Sequence, residues 1–227
     1  MKRCMLISLC FVATLCWQNS IGAGGKDDGG IKIDKEKRTV TIDAKVAPRK
    51  LPHLKEIYPL EVIACWEHPK GKKAHETVVT IDALPSKVHK ALLELGLKPG
   101  TPVMGGDKEE PQGPGVNVYL DIPQPDGDMK RVSIDKTMVA IGTGKPFPKT
   151  VKWRFTGSVM SKPDPNKTET VYGADLTGTL ISIFPVTDQT VMQTNLSMQY
   201  EKYMKLETKG LPKEGTSVKL VLEVPAK

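Results

Sequence analysis

Residues 60–82 read LEVIACWEHPKGKKAHETVVTID, two apolar runs of strand length on either side of a polar stretch. The first run is apolar on both faces apart from Glu61, the composition of a central strand covered on two sides. Pro69-Lys70-Gly71 is turn chemistry, so the stretch predicts a hairpin whose exposed turn is centred on Pro69 to Lys73. Cys65 then lies on one strand, with His75 and Glu76 on its neighbour. The simplest symmetric register sets Trp66 opposite Ala74 and Cys65 opposite His75, with Cβ atoms about 5 Å apart. Contact of that kind would lower the thiol pKa and make a reactive thiolate. Alternation puts His75 with Thr77 and Val79, and Glu76 with Val78 on the other side. A slip of one residue would part Cys65 from His75.

Working outward, period-two alternation dominates. TVTIDAKV (39–46) and VKWRFTGSV (151–159) each place apolar residues on one face, and GVNVYLDI, KRVSID, GTLISIF and SVKLVLEV add further strands. One helix is clear: in PSKVHKALLELG (85–96), Val88, Ala91, Leu92 and Leu95 share a face, with Pro85 in the first turn and Gly96 at the stop. Residues 98–115, rich in Gly, Pro and charge, predict a long exposed loop. The expected class is α+β, a mainly antiparallel sheet or sheets of about eight strands with one amphipathic helix.

The N-terminus has the layout of a secretory signal peptide. Lys2 and Arg3 precede an apolar stretch from Cys4 to Trp17, followed by small residues around Ala23. That stretch is shorter than the roughly 18 apolar residues a membrane span needs, and no later segment is longer. We therefore expect cleavage near Ala23, a single domain over 24–227, and a soluble product that is periplasmic or secreted. Cleavage removes Lys2 and Arg3 from a formal charge of +7. It also removes Cys4, Cys10 and Cys16, leaving Cys65 alone, which excludes an internal disulfide framework and a cysteine-ligated iron–sulfur cluster.

With basic residues scattered among acids and 5% aromatics, nucleic acid is not an expected partner. A nucleophile elbow and a phosphate loop are absent, and HETVV lacks the second His of a zinc-protease helix because Val79 stands in its place. No catalytic residue and no cofactor is assigned. The candidate binding residues are Cys65, Lys73, His75 and Glu76. Cys65, His68 and His75 are the candidates for a zinc or copper site, although their C-x2-H-x6-H spacing matches no familiar structural zinc pattern. His89 flanks the apolar stripe of the helix and reads as a boundary residue. Lys70, Lys72 and Lys73 make a basic turn that would suit an anionic partner. The expected function is an exported, non-catalytic binding or envelope-associated domain. The alternatives are a thiol or metal site on Cys65 and His75, or a plain polar hairpin tip over a buried Cys65.

PKGKKAHETVV (69–79) and DALPSKVHKALLELGLKPGTPV (82–103) resemble the YdjY-like domain family of exported bacterial proteins. The likeness continues through GKPFPKTVKWRFTGS (144–158), YGADLTGTLISI (172–183) and EGTSVKLVLEV (214–224). The resemblance implies an exported domain with a K-x-H-E element, here Lys73, His75 and Glu76, preceded by a cysteine that corresponds best to Cys65.

Overall fold

The alternation in TVTIDAKV survives in three dimensions: Val40, Ile42, Ala44 and Val46 are buried while Asp43 and Lys45 are exposed. The computed structural model describes residues 30–105 and 110–226. The expected signal peptide lies outside the described residues. In chain order the elements are β1 (Ile31–Asp34), β2 (Thr39–Val46), β3 (Val62–Trp66), β4 (Thr77–Ile81) and α1 (Pro85–Glu94). There follow β5 (Asn117–Pro123), β6 (Met129–Ser133), β7 (Met138–Ala140), β8 (Trp153–Phe155), β9 (Met160–Ser161) and β10 (Val171–Tyr172). The last are α2 (Ala174–Thr177), β11 (Thr179–Ser182), β12 (Met192–Thr194), α3 (Met198–Tyr203), β13 (Leu206–Thr208) and β14 (Ser217–Glu223).

Ten strands form one sheet in the order β6-β5-β14-β2-β4-β3-β11-β12-β8, with β1 paired to β2. Two short ladders, β9 with β10 and β7 with β13, stand apart from it. Around β14 the pairing is antiparallel and in phase. Leu220 faces Ile42 on one side and Leu120 on the other, and Leu222 faces Val40 and Val118. In-phase register keeps every inward side chain on the core face, and a one-residue slip would turn the whole set outward. At the far end, Val116 N–H donates to the Trp153 carbonyl at 3.0 Å and Phe155 N–H to the Pro114 carbonyl at 2.9 Å. Because residues 114–116 run directly into β5, the sheet curls until β8 meets the strand near its other edge.

The predicted helix is present as α1, with Pro85 in its first turn and Val88, Ala91 and Leu92 buried. Gly96, at φ +84°, ends it in the left-handed conformation that glycine adopts without strain. The apolar face of α1 closes the core, in which Leu92 and Val88 are wholly inaccessible. Within the predicted loop at 98–115, Val103 is buried and exchanges hydrogen bonds with the Gln193 side chain.

Two expectations are corrected. The sheet is mixed rather than mainly antiparallel, since β3 pairs parallel to β4 and β11 parallel to β12. The stretch 60–82 is also not a hairpin. Val62 faces Thr77, Cys65 faces Thr80 and Trp66 faces Ile81, so residues 67–76 cross over and return the chain to the starting end of β3. The physical reason lies in the strands: VIACW and TVVTI are buried on almost every residue, as strands with both faces covered require. The crossover depends on Gly71, where a Cβ would stand 1.9 Å from the Trp66 carbonyl oxygen. His75 and Glu76 lie in a 3-10 turn, Ala74–Glu76, and not on a strand. The alternation expected of them from Thr77 to Val79 therefore does not apply.

Candidate functional site

The crossover lies over a small apolar cluster of Leu51, Val62, Cys65 and Ala74, with Leu54 against it, separate from the main core. A strap, residues 48–60, covers the same cluster. Arg49 anchors this strap: its guanidinium donates to the Tyr58 carbonyl at 2.5 Å and the Thr77 carbonyl at 3.5 Å. Its backbone N–H donates to Glu214 Oε1 at 2.8 Å. Fixing both ends of an irregular segment in this way satisfies carbonyls that would otherwise be stranded beside the sheet.

Above the cluster sits a group of charges. Lys73 Nζ lies 2.5 Å from Glu61 Oε2 and 2.8 Å from Glu76 Oε2. His75 Nε2 stands 3.4 Å from Glu76 Oε1. The partial burial of this group makes the pairing matter. A half-buried carboxylate without a partner would bear the full loss of hydration. Burial works against the Lys73 charge, but its hydrogen bonds to Glu61 and Glu76 prevail and hold the ammonium above its ordinary range. Burial pushes the Glu61 carboxyl up, against the Lys73 hydrogen bond and with the Glu76 charge adding to the push. Two carboxylates share one ammonium, so one of them remains in a poor environment. Burial, then the Lys73 charge, holds His75 below the usual histidine value.

Of the residues singled out in the sequence, Lys73, His75 and Glu76 do come together, joined by Glu61. Cys65 lies beneath them, wholly inaccessible, and burial pushes its thiol up to about 12. Its Sγ donates to the carbonyl of Trp66 at 3.2 Å. A thiol held protonated at neutral pH is neither nucleophile nor ready metal ligand. The register that would have set it opposite His75 does not exist, because Thr80 and Thr179 are its cross-strand partners. Among the described residues, no group of three or more His, Cys, Asp or Glu is arranged to hold a metal ion, so Cys65, His68 and His75 do not converge as ligands. His89 is the boundary residue expected: Nδ1 is 2.7 Å from the Tyr172 hydroxyl, and its ring packs edge-on to Phe155.

The basic turn divides. Lys70 and Lys72 are exposed, whereas Lys73 turns inward to its two carboxylates. Glu61 was legible as the one polar residue opening a doubly covered strand, a position that requires a counter-charge. Arg49, His53 and Tyr58 carry no local signal. They reach the crossover from the strap, His53 stacking on His68 and Tyr58 meeting His75 edge-on at 5.2 Å.

Two surface clefts lie elsewhere. One of about 250 Å³ is bordered by Asp43, Lys45, Glu67, Asp82 and Lys219. The other, about 360 Å³, follows the seam between β5 and β8 and is lined in part by Tyr119, Asp135, Lys149 and Trp153. Cys65, Lys73, His75 and Glu76 line neither. Among the described residues, no helix is long and apolar enough to cross a membrane.

No curated protein and no solved structure matches the chain. The family model of the YdjY domain matches residues 31–223, a span that begins in β1, ends with β14 and contains both the crossover and the strap. On that match, and on the K-x-H-E element now seen as part of an ion-paired crossover, the chain belongs to the YdjY domain family.

Proposed function

We propose that the chain is an exported, non-catalytic binding domain that attaches to an anionic component of the cell envelope through the outer turn of the crossover. The observation that carries this reading is the division of the basic run. Lys73 is committed to Glu61 and Glu76, and its exposed neighbours Lys70 and Lys72 present charge at the tip of a firmly anchored segment. Two of the groups in this stretch that could do chemistry are paired or covered: the Lys73 ammonium lies between carboxylates and the Cys65 thiol is inaccessible. The competing reading, thiol chemistry at Cys65 with His75, has less support because burial keeps the thiol protonated.

The test is sedimentation of the mature chain with washed envelope material, comparing wild type with Lys70→Glu/Lys72→Glu. Exposed lysines contribute little to folding, so the double variant should fold normally. Co-sedimentation of wild type that falls several-fold in the variant and weakens with salt supports the reading. Equal retention of the two proteins, or none of either, overturns it. N-terminal sequencing of the exported protein should give a chain that starts close to Gly24.

A further inference from the structure

The seam between β5 and β8 holds a cleft of about 360 Å³, a volume within the range of small-ligand sites. Three segments supply its polar side chains. β5 gives Asn117 and Tyr119, the end of β6 and the turn after it give Ser133 and Asp135, and the approach to β8 gives Lys149 and Lys152. Asp135 is anchored at both oxygens: Oδ1 accepts from the Trp153 indole N–H at 3.1 Å and Oδ2 from the Ser133 hydroxyl at 3.3 Å. Arg131, held by the two Asp121 oxygens at 2.7 and 2.8 Å, backs the Tyr119 ring at 5.7 Å, and neither Arg131 nor Asp121 lines the cleft. Lys149 and Lys152 are exposed, and no ion pair or hydrogen bond among the described residues engages either ammonium. From this lining we propose that the seam cleft binds an anionic saccharide of the uronic-acid type, one or two sugar rings long.

The chemistry follows from the lining. A carboxylate offers roughly four acceptor sites, and the bonds from Trp153 and Ser133 occupy two of those on Asp135. Burial holds the Asp135 carboxyl above its ordinary range, against these two hydrogen bonds. Sugar hydroxyls donating to it would replace the water it has lost. Asn117 adds an amide, oriented by donation from Nδ2 to Glu223 Oε1 at 3.2 Å. The half-buried Tyr119 ring gives apolar surface for the C–H face of a pyranose. On the wall supplied by the approach to β8, two unpaired ammoniums against the one Asp135 charge suit a ligand carboxylate. A neutral sugar would leave the lysines unused, and a bare anion would give Asp135 no donor and meet its charge. The inference does not rest on the anionic partner proposed above, because Lys70 and Lys72 do not line this cleft.

The test is calorimetric titration of folded residues 24–227 with digalacturonate, with the neutral disaccharide cellobiose and inorganic phosphate as comparison probes at one ionic strength. Digalacturonate should bind at one site per chain, cellobiose about tenfold or more weakly, and phosphate not measurably. Lys149→Gln/Lys152→Gln removes exposed charges that contribute little to folding. It should keep the unfolding temperature, weaken digalacturonate by about tenfold or more, and lose the preference over cellobiose. Asp135→Asn should weaken both disaccharides, and Lys70→Glu/Lys72→Glu should bind digalacturonate as wild type does. Absence of digalacturonate binding, or equal binding by Lys149→Gln/Lys152→Gln and wild type, would overturn the assignment. So would cellobiose or phosphate bound as tightly as digalacturonate. Loss in Lys70→Glu/Lys72→Glu alone would move the binding to the crossover and overturn this inference while leaving the envelope reading in place, so the two fail separately.

Discussion

The two sides of the β3–β4 region are covered in different ways. On the α1 side, Val88, Ala91 and Leu92 close a continuous apolar core. On the crossover side a cluster of Leu51, Val62, Cys65 and Ala74 lies under a group of charges in which Lys73 holds two carboxylates. One cover is stabilised by apolar area, the other by counter-charges that tolerate partial burial because they are paired. The first should respond steeply to a buried charge and hardly at all to pH in the alkaline range; the second should do the reverse.

The largest effect is expected at Leu92. Leu92→Ala should destabilise the domain by about 2–5 kcal/mol through the lost contacts and the cavity left behind. Leu92→Asp, which places an unpaired charge in the core, should prevent folding. Denaturant unfolding checks both, and an unchanged midpoint would mean that α1 is not the cover described here.

Lys73→Met comes next. It leaves Glu61 and Glu76 facing each other with no cation between them, at a loss of about 1–3 kcal/mol, reduced by the solvent that reaches the group. Adding Glu61→Gln should restore part of that loss, because it removes one of the repelling charges. The alkaline limb gives an independent check. The folded-state pKa of Lys73 is raised above 10.5, so its contribution is fully present below that value and fades as pH rises through the raised one. Wild type should lose stability in that window more steeply than Lys73→Met does.

A smaller effect separates the two sides in acid. His89 and His75 both have folded-state values held below 6.5, His89 by burial and His75 by burial and then the Lys73 charge. Their contributions are present above 6.5 and are lost as pH falls through the lowered values. Beside His75, Glu61 acts in the opposite sense: its raised carboxyl makes the folded state take up a proton more readily as pH falls. Substituting His89 by Gln should flatten the acid limb of stability on the α1 side, and substituting His75 by Gln should do so on the crossover side, where the Glu61 contribution of opposite sign remains. Unfolding midpoints from pH 7 downward measure the difference.

What could be read from the sequence follows the same division. Strands with one face on the core announced themselves through period two, and β2, β5 and β14 lie where that pattern put them. The helix announced itself through Val88, Ala91, Leu92 and its terminal Pro and Gly. β3 and β4 lack alternation because both of their faces are covered, and alternation is what distinguishes a hairpin from a crossover. Pro-Lys-Gly has the composition of a tight turn but belongs to a longer return path. The family resemblance held across the domain. In the site, Lys73, His75 and Glu76 were recognisable together, whereas Arg49, His53 and Tyr58 were not, since their partners are fixed by the strap and not by local spacing. The polar residue Glu61 in an otherwise apolar run is the sequence cue to the ion pair.

Strap and crossover together form a closed roof over Cys65, with no open thiol site beneath. Reaction of Cys65 with a thiol reagent at neutral pH, followed on folded residues 24–227 and across a denaturant series, tests it directly. The thiol is wholly inaccessible, and burial pushes its pKa up to about 12. Labelling should therefore be slow in the native state and rise with denaturant in step with opening of the structure. Labelling of the native protein as fast as that of the unfolded chain would contradict the closed roof and return Cys65 to the list of reactive groups.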